Sequence, residues 1–338
     1  TIFSEGCRGH LGKQLIRKFN LDADSGTQHY GIGIKELWNI DPAKHKPGRV
    51  IHGAGWPIGG FFTGATGGSF LYHLPNNQVS LGLITDLSYS NPYLSPFDEM
   101  QRMKLHPLYA EVLEGGERVS YGARALCKGG IQALPKLTVP GALLAGCDAG
   151  FMNVLKIKGS HTAMKSGMLA AEATFDELKE GHSRTEASSF QTRFENSWLH
   201  EELNRSRNFG PAVHKLGTGG GAAYAFVEQF LSGNQPWTLT DPTPDHATLK
   251  PAASCKPIDY PKPDGVLSFD KLSSVFLSNT NHEEDQPCHL TLKDAEVPIR
   301  DNLPVYAEPA QRYCPAGVYE IVEESSGPRF QINTQNCV

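Results

Sequence analysis

The chain has 338 residues, of which 39% are hydrophobic and 20% charged, and a formal net charge of −5. That length allows two or three domains, and the usage is ordinary for a globular protein. The missing basic excess argues against nucleic acid as a partner. The seven cysteines are odd in number and irregularly spaced, which argues against a disulfide framework and for a reducing compartment. No run of about 18 apolar residues occurs, so no segment reads as a helix spanning a bilayer.

The chain opens on Thr1-Ile2-Phe3, which reads as the tail of a strand rather than a leader, and the N-terminus is expected to be cut. Ile2 to Leu11 reads as strand, tight glycine turn and helix start, with the helix running through Phe19. Such a unit aims backbone N–H groups at phosphate, which makes Gly6 and Arg8 candidates for cofactor contact; an ordinary structural turn is the other reading. Residues 28–36 and 49–56 read as strands. Gly68–Leu74 and Gln78–Thr85 read as a hairpin closed by Pro75-Asn76-Asn77. A short helix is expected from Pro96 to His106, with Phe97, Met100 and Met103 on one face. Arg118–Ala123 is another strand, so residues from about 28 to 120 form a mostly antiparallel sheet between two α/β pieces.

Leu137 to Gly150 reads as one apolar strand ending at Gly146-Cys147-Asp148-Ala149-Gly150. Gly159-Ser160-His161 then opens a helix to about Leu178 with a face of small residues. A strand ending in Gly-x-Asp, then a loop and a helix N-terminus, suits a flavin. The Asp accepts from ribityl hydroxyls, and the helix dipole stabilises charge on the reduced ring. Gly146, Asp148 and Gly159 are the candidates; a plain βα unit with a capping Ser is the alternative. Residues 186–209 are polar and helical, with Trp198 and Leu203 expected toward the core. In 214–233, Leu216, Ala223, Phe226, Val227, Phe230 and Leu231 fall near one stripe, while Glu228 and Gln229 forbid deep spanning. That stripe suits a membrane interface, or an amphipathic helix packed on its own domain. Prolines at 242, 244, 251, 257, 261 and 263 mark a linker.

The last 25 residues carry the most chemistry. Cys314-Pro315 opens a run in which proline fixes the turn and leaves a thiolate to point at an iron–sulfur cluster. Cys337 follows in a polar stretch holding Gln331, Asn333, Gln335 and Asn336. A cubane takes about four thiolates and this region holds two, so the pair is either unrelated or the chain stops inside a ferredoxin-like motif.

Long runs along the whole chain resemble the electron-transfer flavoprotein:ubiquinone oxidoreductase family. They include YGIGIKELW (30–38), GGSFLYHL (67–74), NPYLSPF (91–97), KIKGSHTAMKSGMLAAEA (156–173), YPKPDG (260–265), TNHEEDQP (280–287) and AEPAQRYCPAGVYE (307–320). The resemblance implies an α/β and α+β fold. A partial glutathione-reductase-like FAD domain would take residues 1–20 and 121–185, and an inserted antiparallel-sheet quinone domain 21–120. A helical segment with a membrane-associating stretch at 214–233 would take 186–250, and a partial ferredoxin-like [4Fe–4S] domain 251–338. It implies FAD and a [4Fe–4S] cluster as cofactors, and electron-transfer flavoprotein, ubiquinone and a membrane surface (monotopic, mitochondrial or bacterial inner membrane) as partners. Gly67 and Gly68 match the family's quinone-contact glycines, which let a headgroup approach backbone closely, with a hairpin-edge bend as the structural alternative. Cys314 and Cys337 match two cluster ligands. The family's Gly-x-Gly-x-x-Gly strand and its distal ligand pair have no match in the chain.

Two departures stand out: the stretch Ile58–Thr66 is longer than in the relatives, and Cys127 stands where asparagine is common near the flavin. Electron transfer requires no catalytic triad, because the cofactors carry the chemistry, and the 13 histidines are scattered without metal-ligand spacing. The rival readings are a related FAD-dependent dehydrogenase of the FixC or geranylgeranyl-reductase type, or an inactive membrane-docking fragment.

Overall fold

The computed structural model describes the chain except residues 8, 60–63, 183 and 284. In chain order, β1 (Ile2–Phe3) leads into α1 (His10–Phe19), followed by β2 (Tyr30–Asn39), β3 (Val50–Gly53), β4 (Gly67–Leu74) and β5 (Gln78–Asp86). Helices α2 (Pro96–Lys104) and α3 (Pro107–Leu113) precede β6 (Glu117–Cys127), β7 (Thr138–Val139) and β8 (Ala142–Leu144). Four helices come next: α4 (Ser160–Lys179), α5 (Ser189–Glu195), α6 (Trp198–Arg205) and α7 (Phe209–Phe230). The C-terminal part holds α8 (Lys271–Phe276), α9 (Leu303–Tyr306), α10 (Ala310–Tyr313), β9 (Tyr319–Glu324) and β10 (Gly327–Ile332). The chain divides into two compact units, residues 1–31 with 125–245, and residues 32–124 with 246–338.

In the first unit β1 pairs in parallel with β8, setting Ile2 opposite Leu143, and β7 pairs antiparallel with β8. The single strand expected over 137–150 is therefore a tight hairpin. Pro140 lacks a ladder donor and Gly141 supplies a left-handed turn at φ 76°. Leu137, Leu143, Leu144, Phe151, Leu169 and Phe190 pack the core beneath α4. Ala170 and Ala173 are fully buried, so the small-residue face of α4 is a packing face. The polar stretch 186–209 forms α5 and α6. Leu203 is buried, but Trp198 is 47% exposed, contrary to its expected core position. Its ring instead stacks on His161 at 6.1 Å.

In the second unit the strands run in the order β3-β4-β5-β2-β6. The Gly67–Leu74 and Gln78–Asp86 hairpin closes through Asn76 and Asn77, both in the left-handed region that asparagine tolerates. Alternation places Ile34 and Trp38, and Leu81 and Leu83, on a buried face against Phe97 and Met100 of α2. Helix α2 begins where the Ser95 side chain accepts from the Asp98 amide, with Pro96 at its first position. Glu36 is fully buried and accepts from Lys104 Nζ at 2.9 Å, Arg118 Nη1 at 3.2 Å and Trp38 Nε1 at 2.8 Å. Burial pulls the Lys104 ammonium down to about 8, while Glu36 opposes that shift. The C-terminal hairpin sets Tyr319 opposite Ile332.

Candidate functional site: a cofactor cradle, a glycine edge and a thiol pair

The first unit holds a cavity of about 320 Å³ lined by Cys7, Lys13, Tyr30, Cys127 and Asp148, among others. Gly146, Cys147 and Asp148 form a single 3-10 turn directly after β8, and Gly146 sits at φ 62°, a conformation glycine adopts without a Cβ penalty. The Gly146 amide donates to Ser166 Oγ of α4 at 2.9 Å, which ties the turn to that helix. Asp148 then lies against the start of α1. A Cβ on Gly12 would come within 2.2 Å of its carboxylate and one on Gly9 within 2.5 Å. These glycines exist so that α1 can approach Asp148. Burial pushes the Asp148 carboxyl above its ordinary range, partly offset by the Glu5 amide that donates to it.

Gly6 stands in the turn before α1, where its carbonyl accepts from Gly9, and Glu5 Oε2 accepts from the Gly12 amide at 2.8 Å. Arg8 lies outside the described residues. Gly159 is the N-cap of α4, and a Cβ there would meet Cys147 Sγ only at 3.7 Å, an ordinary contact. Cys127 stands in the cavity wall, and its thiol donates to the Cys147 carbonyl at 3.4 Å.

Gly67 and Gly68 open β4 in the second unit. A Cβ on Gly67 would sit 2.0 Å from the Ile84 carbonyl oxygen and 2.6 Å from Ile58 Cδ1, so sheet packing alone demands glycine there. At Gly68 the one close neighbour is the Gly53 carbonyl oxygen at 2.9 Å. Gly68 is the less constrained of the two and the better probe of close approach. Residues 60–63 of the long stretch after Pro57 lie outside the described residues.

Cys314 is buried directly after α10 and shares a small apolar cluster with Ala316, Val318, Leu290 and Cys337. The structure therefore brings together two thiols that are 23 positions apart in sequence. Burial, then the neighbouring Cys314, push the Cys337 thiol up. Two thiolates at close quarters need a cation to neutralise them. Asn336 Nδ2 and Asn333 Nδ2 both donate to the Gly317 carbonyl at 3.2 and 3.3 Å, which holds the Cys-Pro-Ala-Gly loop against the terminal segment. His282 Nε2 reaches the Cys337 carbonyl at 2.7 Å.

Helix α7 carries the apolar stripe, and the stripe is exposed. Phe226 is 75% and Phe230 82% accessible, with Leu216, Val227 and Leu231 beside them. Trp237 adds to this face and donates from Nε1 to Tyr224 at 2.7 Å. Glu228 does not interrupt the face as expected. It points inward, where Oε1 accepts from Gln235 Nε2 and the Asn208 amide, and burial pushes its carboxyl up. The helix is kinked at Gly217, whose φ of 68° and ψ of 178° are not helical. No helix among the described residues is long and apolar enough to cross a membrane.

Residues 30–126 match the family model described as ETF-QO, ubiquinone-binding, and residues 265–338 match the one described as electron transfer flavoprotein-ubiquinone oxidoreductase, 4Fe-4S. A protein named electron transfer flavoprotein-ubiquinone oxidoreductase from Pseudomonas aeruginosa is 64% identical over the whole chain, which covers 61% of that relative. The chain belongs to the electron transfer flavoprotein-ubiquinone oxidoreductase family. A probable member from Acinetobacter baylyi is 59% identical, and the mitochondrial member from Bos taurus 55%; the whole chain matches both, covering 62% and 56% of them. The chain thus spans about three-fifths of the length of these relatives. Among solved structures, a geranylgeranyl bacteriochlorophyll reductase-like protein from Thermoplasma acidophilum aligns at TM-score 0.50 and 15% identity over 72% of this chain and 55% of that one. That likeness shows a shared fold.

One cluster escaped the family comparison and the sequence pattern alike. The histidines of this oxidoreductase family member are not all scattered: His29, His214 and Asp241 converge in the first unit. They are separated by 185 and 27 positions, so no ligand spacing advertises them. Apart from the adjacent prolines at 242 and 244, nothing in the sequence marks that turn.

Proposed function

We propose that the protein carries electrons from reduced electron-transfer flavoprotein, through FAD and a [4Fe–4S] cluster, to ubiquinone at a membrane surface. The observation that carries this reading is the convergence of Cys314 and Cys337 on one apolar pocket, inside the segment that matches the 4Fe-4S domain. These thiols would supply two of the roughly four thiolates that a cluster takes, and the cluster supplies one-electron steps when bound. Cys314 and Cys337 would ligate iron, while Val318, Leu290 and Ile332 keep water from the sulfurs. In the first unit Gly146 and Asp148 would hold FAD, and Gly159 would present the N-terminus of α4 to it. The second unit would take the quinone headgroup where Gly68 leaves backbone bare. The exposed face of α7 supports attachment to one membrane leaflet, because it gathers two Phe, Val, two Leu and Trp237 without a charge among them. The relatives are both bacterial and mitochondrial, which supports an inner membrane of either kind as the location.

The test is a purified protein carried to the length of its relatives. Its absorption should show flavin bands with a broad iron–sulfur shoulder, and reduced electron-transfer flavoprotein should bleach both before ubiquinone restores them. Bleaching of the flavin with no reoxidation by quinone would favour a related FAD-dependent dehydrogenase instead.

A further inference from the structure

His29 is 6% exposed and immediately precedes β2. Its Nδ1 meets Asp245 Oδ1 at 2.7 Å, and the other oxygen of that carboxylate accepts from the Tyr30 amide at 2.8 Å. Asp245 therefore fixes the ring and aims Nε2 the other way, toward Asp241 Oδ2 at 3.6 Å and the Asp241 carbonyl at 3.3 Å. His214 reaches the same Oδ2 through Nδ1 at 2.6 Å. Its ring meets that of His29 edge-on at 4.8 Å. The side chains of all four residues are at most 15% exposed. Two carboxylates and two imidazoles are thus buried together with their basic and anionic atoms facing inward, an arrangement that calls for a cation at the centre.

We infer that His29 Nε2, His214 Nδ1 and the Asp241 carboxylate form a site for one divalent cation of the zinc class. Among the described residues this is the one group of three such side chains whose ligand atoms lie within 4.8 Å of one another. Zinc takes nitrogen and carboxylate oxygen at about 2.0–2.2 Å, so ligand atoms around one ion lie roughly 3.4 Å apart. The His29–Asp241 separation of 3.6 Å already fits, and the 2.6 Å hydrogen bond from His214 opens as the ion enters. Two imidazoles with one carboxylate select zinc, cobalt or nickel over magnesium or calcium, which favour all-oxygen sets. Asp245 supplies the carboxylate–histidine–metal relay that orients a ligating ring. The site is held from outside. Thr27 Oγ1 donates to the Pro242 carbonyl at 3.1 Å, and Gln132 Nε2 to the Leu239 carbonyl at 3.0 Å, pinning the loop that carries Asp241. A cavity of about 280 Å³ bordered by His29, Asp241, Lys128 and Gln132 leaves room for water as a fourth ligand.

Cobalt is the probe, because its spectrum separates nitrogen and oxygen ligation from thiolate ligation, and this chain has seven thiols. The purified 338-residue chain, stripped with a chelator, is titrated with Co²⁺. One equivalent should produce visible ligand-field bands without thiolate charge transfer. His214→Ala and Asp241→Asn should each weaken binding more than about tenfold, and Asp245→Asn by roughly 10- to 100-fold through the orientation of His29. Cys288→Ser and the exposed His106→Ala should bind as the parent does. Far-ultraviolet circular dichroism certifies each fold. If His214→Ala unfolds, the near-isosteric Asp241→Asn decides. No binding by the folded parent, a spectrum of thiolate type alone, or unchanged binding in folded Asp241→Asn would overturn the assignment.

Discussion

At the scale of single residues, the two predicted thiols and two predicted glycines separate cleanly. Cys314 and Cys337 share one apolar cluster, whereas Cys255 lies elsewhere and the exposed Cys288 sits at its edge, its thiol donating to the Leu290 carbonyl at 2.9 Å. In protein loaded with its cluster, Cys314→Ala should abolish most of the bound iron and leave FAD in place, whereas Cys255→Ala and Cys288→Ala should retain it. Iron content per chain decides, and equal loss in all three variants would mean the ligands are misassigned. For quinone contact, Gly68→Ala is the sharper variant. Its Cβ would meet the Gly53 carbonyl oxygen at 2.9 Å, so that backbone must shift, a lesser strain than at Gly67; the chain should fold and the KM for quinone rise several-fold with flavin reduction unchanged. Gly67→Ala should lower the melting temperature outright, because its Cβ would sit inside the van der Waals radius of the Ile84 carbonyl. Normal quinone kinetics in folded Gly68→Ala would remove that residue from the pocket.

A third residue is testable by pH. Burial acts to raise the Glu202 carboxyl, but hydrogen bonds from Lys156, His161 and Asn153 win and hold it down to about 2. Its folded value lies below its unfolded one of 4.5. The stabilisation is therefore complete above the unfolded value and is lost as pH falls through the folded one. Glu202→Gln should destabilise the chain by about 1–3 kcal/mol at pH 7. That gap should narrow as pH drops from about 5 toward 3, measured by urea midpoints. A gap constant with pH would point to packing instead of charge.

At the scale of elements, α7 is the informative case. Stripe spacing in the sequence indicated an apolar face but left its neighbour undecided. The structure leaves that face bare and turns Glu228, the residue expected to interrupt it, toward Asn208 and Gln235. Burying two Phe, Val and two Leu in a bilayer interface contributes several kcal/mol at about 25 cal/mol per Å². Phe226→Glu with Phe230→Glu should move the protein from the membrane pellet to the supernatant. The same variant should slow reduction of a long-tail quinone more than of a short-tail analogue, since only the former must be met in lipid. A double variant that still sediments with membranes would show that α7 is not the anchor. The hairpin at Thr138–Leu144 shows the opposite failure. Its apolar run reads as one strand because hydrophobicity is continuous, and the break is set by Pro140 and the left-handed Gly141.

At the scale of the whole molecule, the chain crosses between its two units at residues 31–32, 124–125 and 245–246. Each unit is therefore built from two separate stretches of sequence. The sequence by itself determined the elements with strong period or strong turn chemistry: α1, the β4–β5 hairpin, α2, α4 and the Cys-Pro loop. It also carried the family, because runs such as YGIGIKELW and AEPAQRYCPAGVYE are long enough to be specific. Local pattern suffices there, since helix caps, asparagine turns and alternating faces are decided within a few residues. Only the tertiary structure decided which side chains meet. Gly9 and Gly12 are demanded by Asp148, more than 130 positions away, and Gly67 by the Ile84 carbonyl across the ladder. Cys337 joins Cys314 by way of the β9–β10 hairpin. His29 finds His214 and Asp241 because the chain leaves the first unit at Gly31 and returns at Ala125. Such contacts depend on where the backbone returns rather than on what surrounds a residue in sequence, so no spacing rule applied to a single chain reveals them.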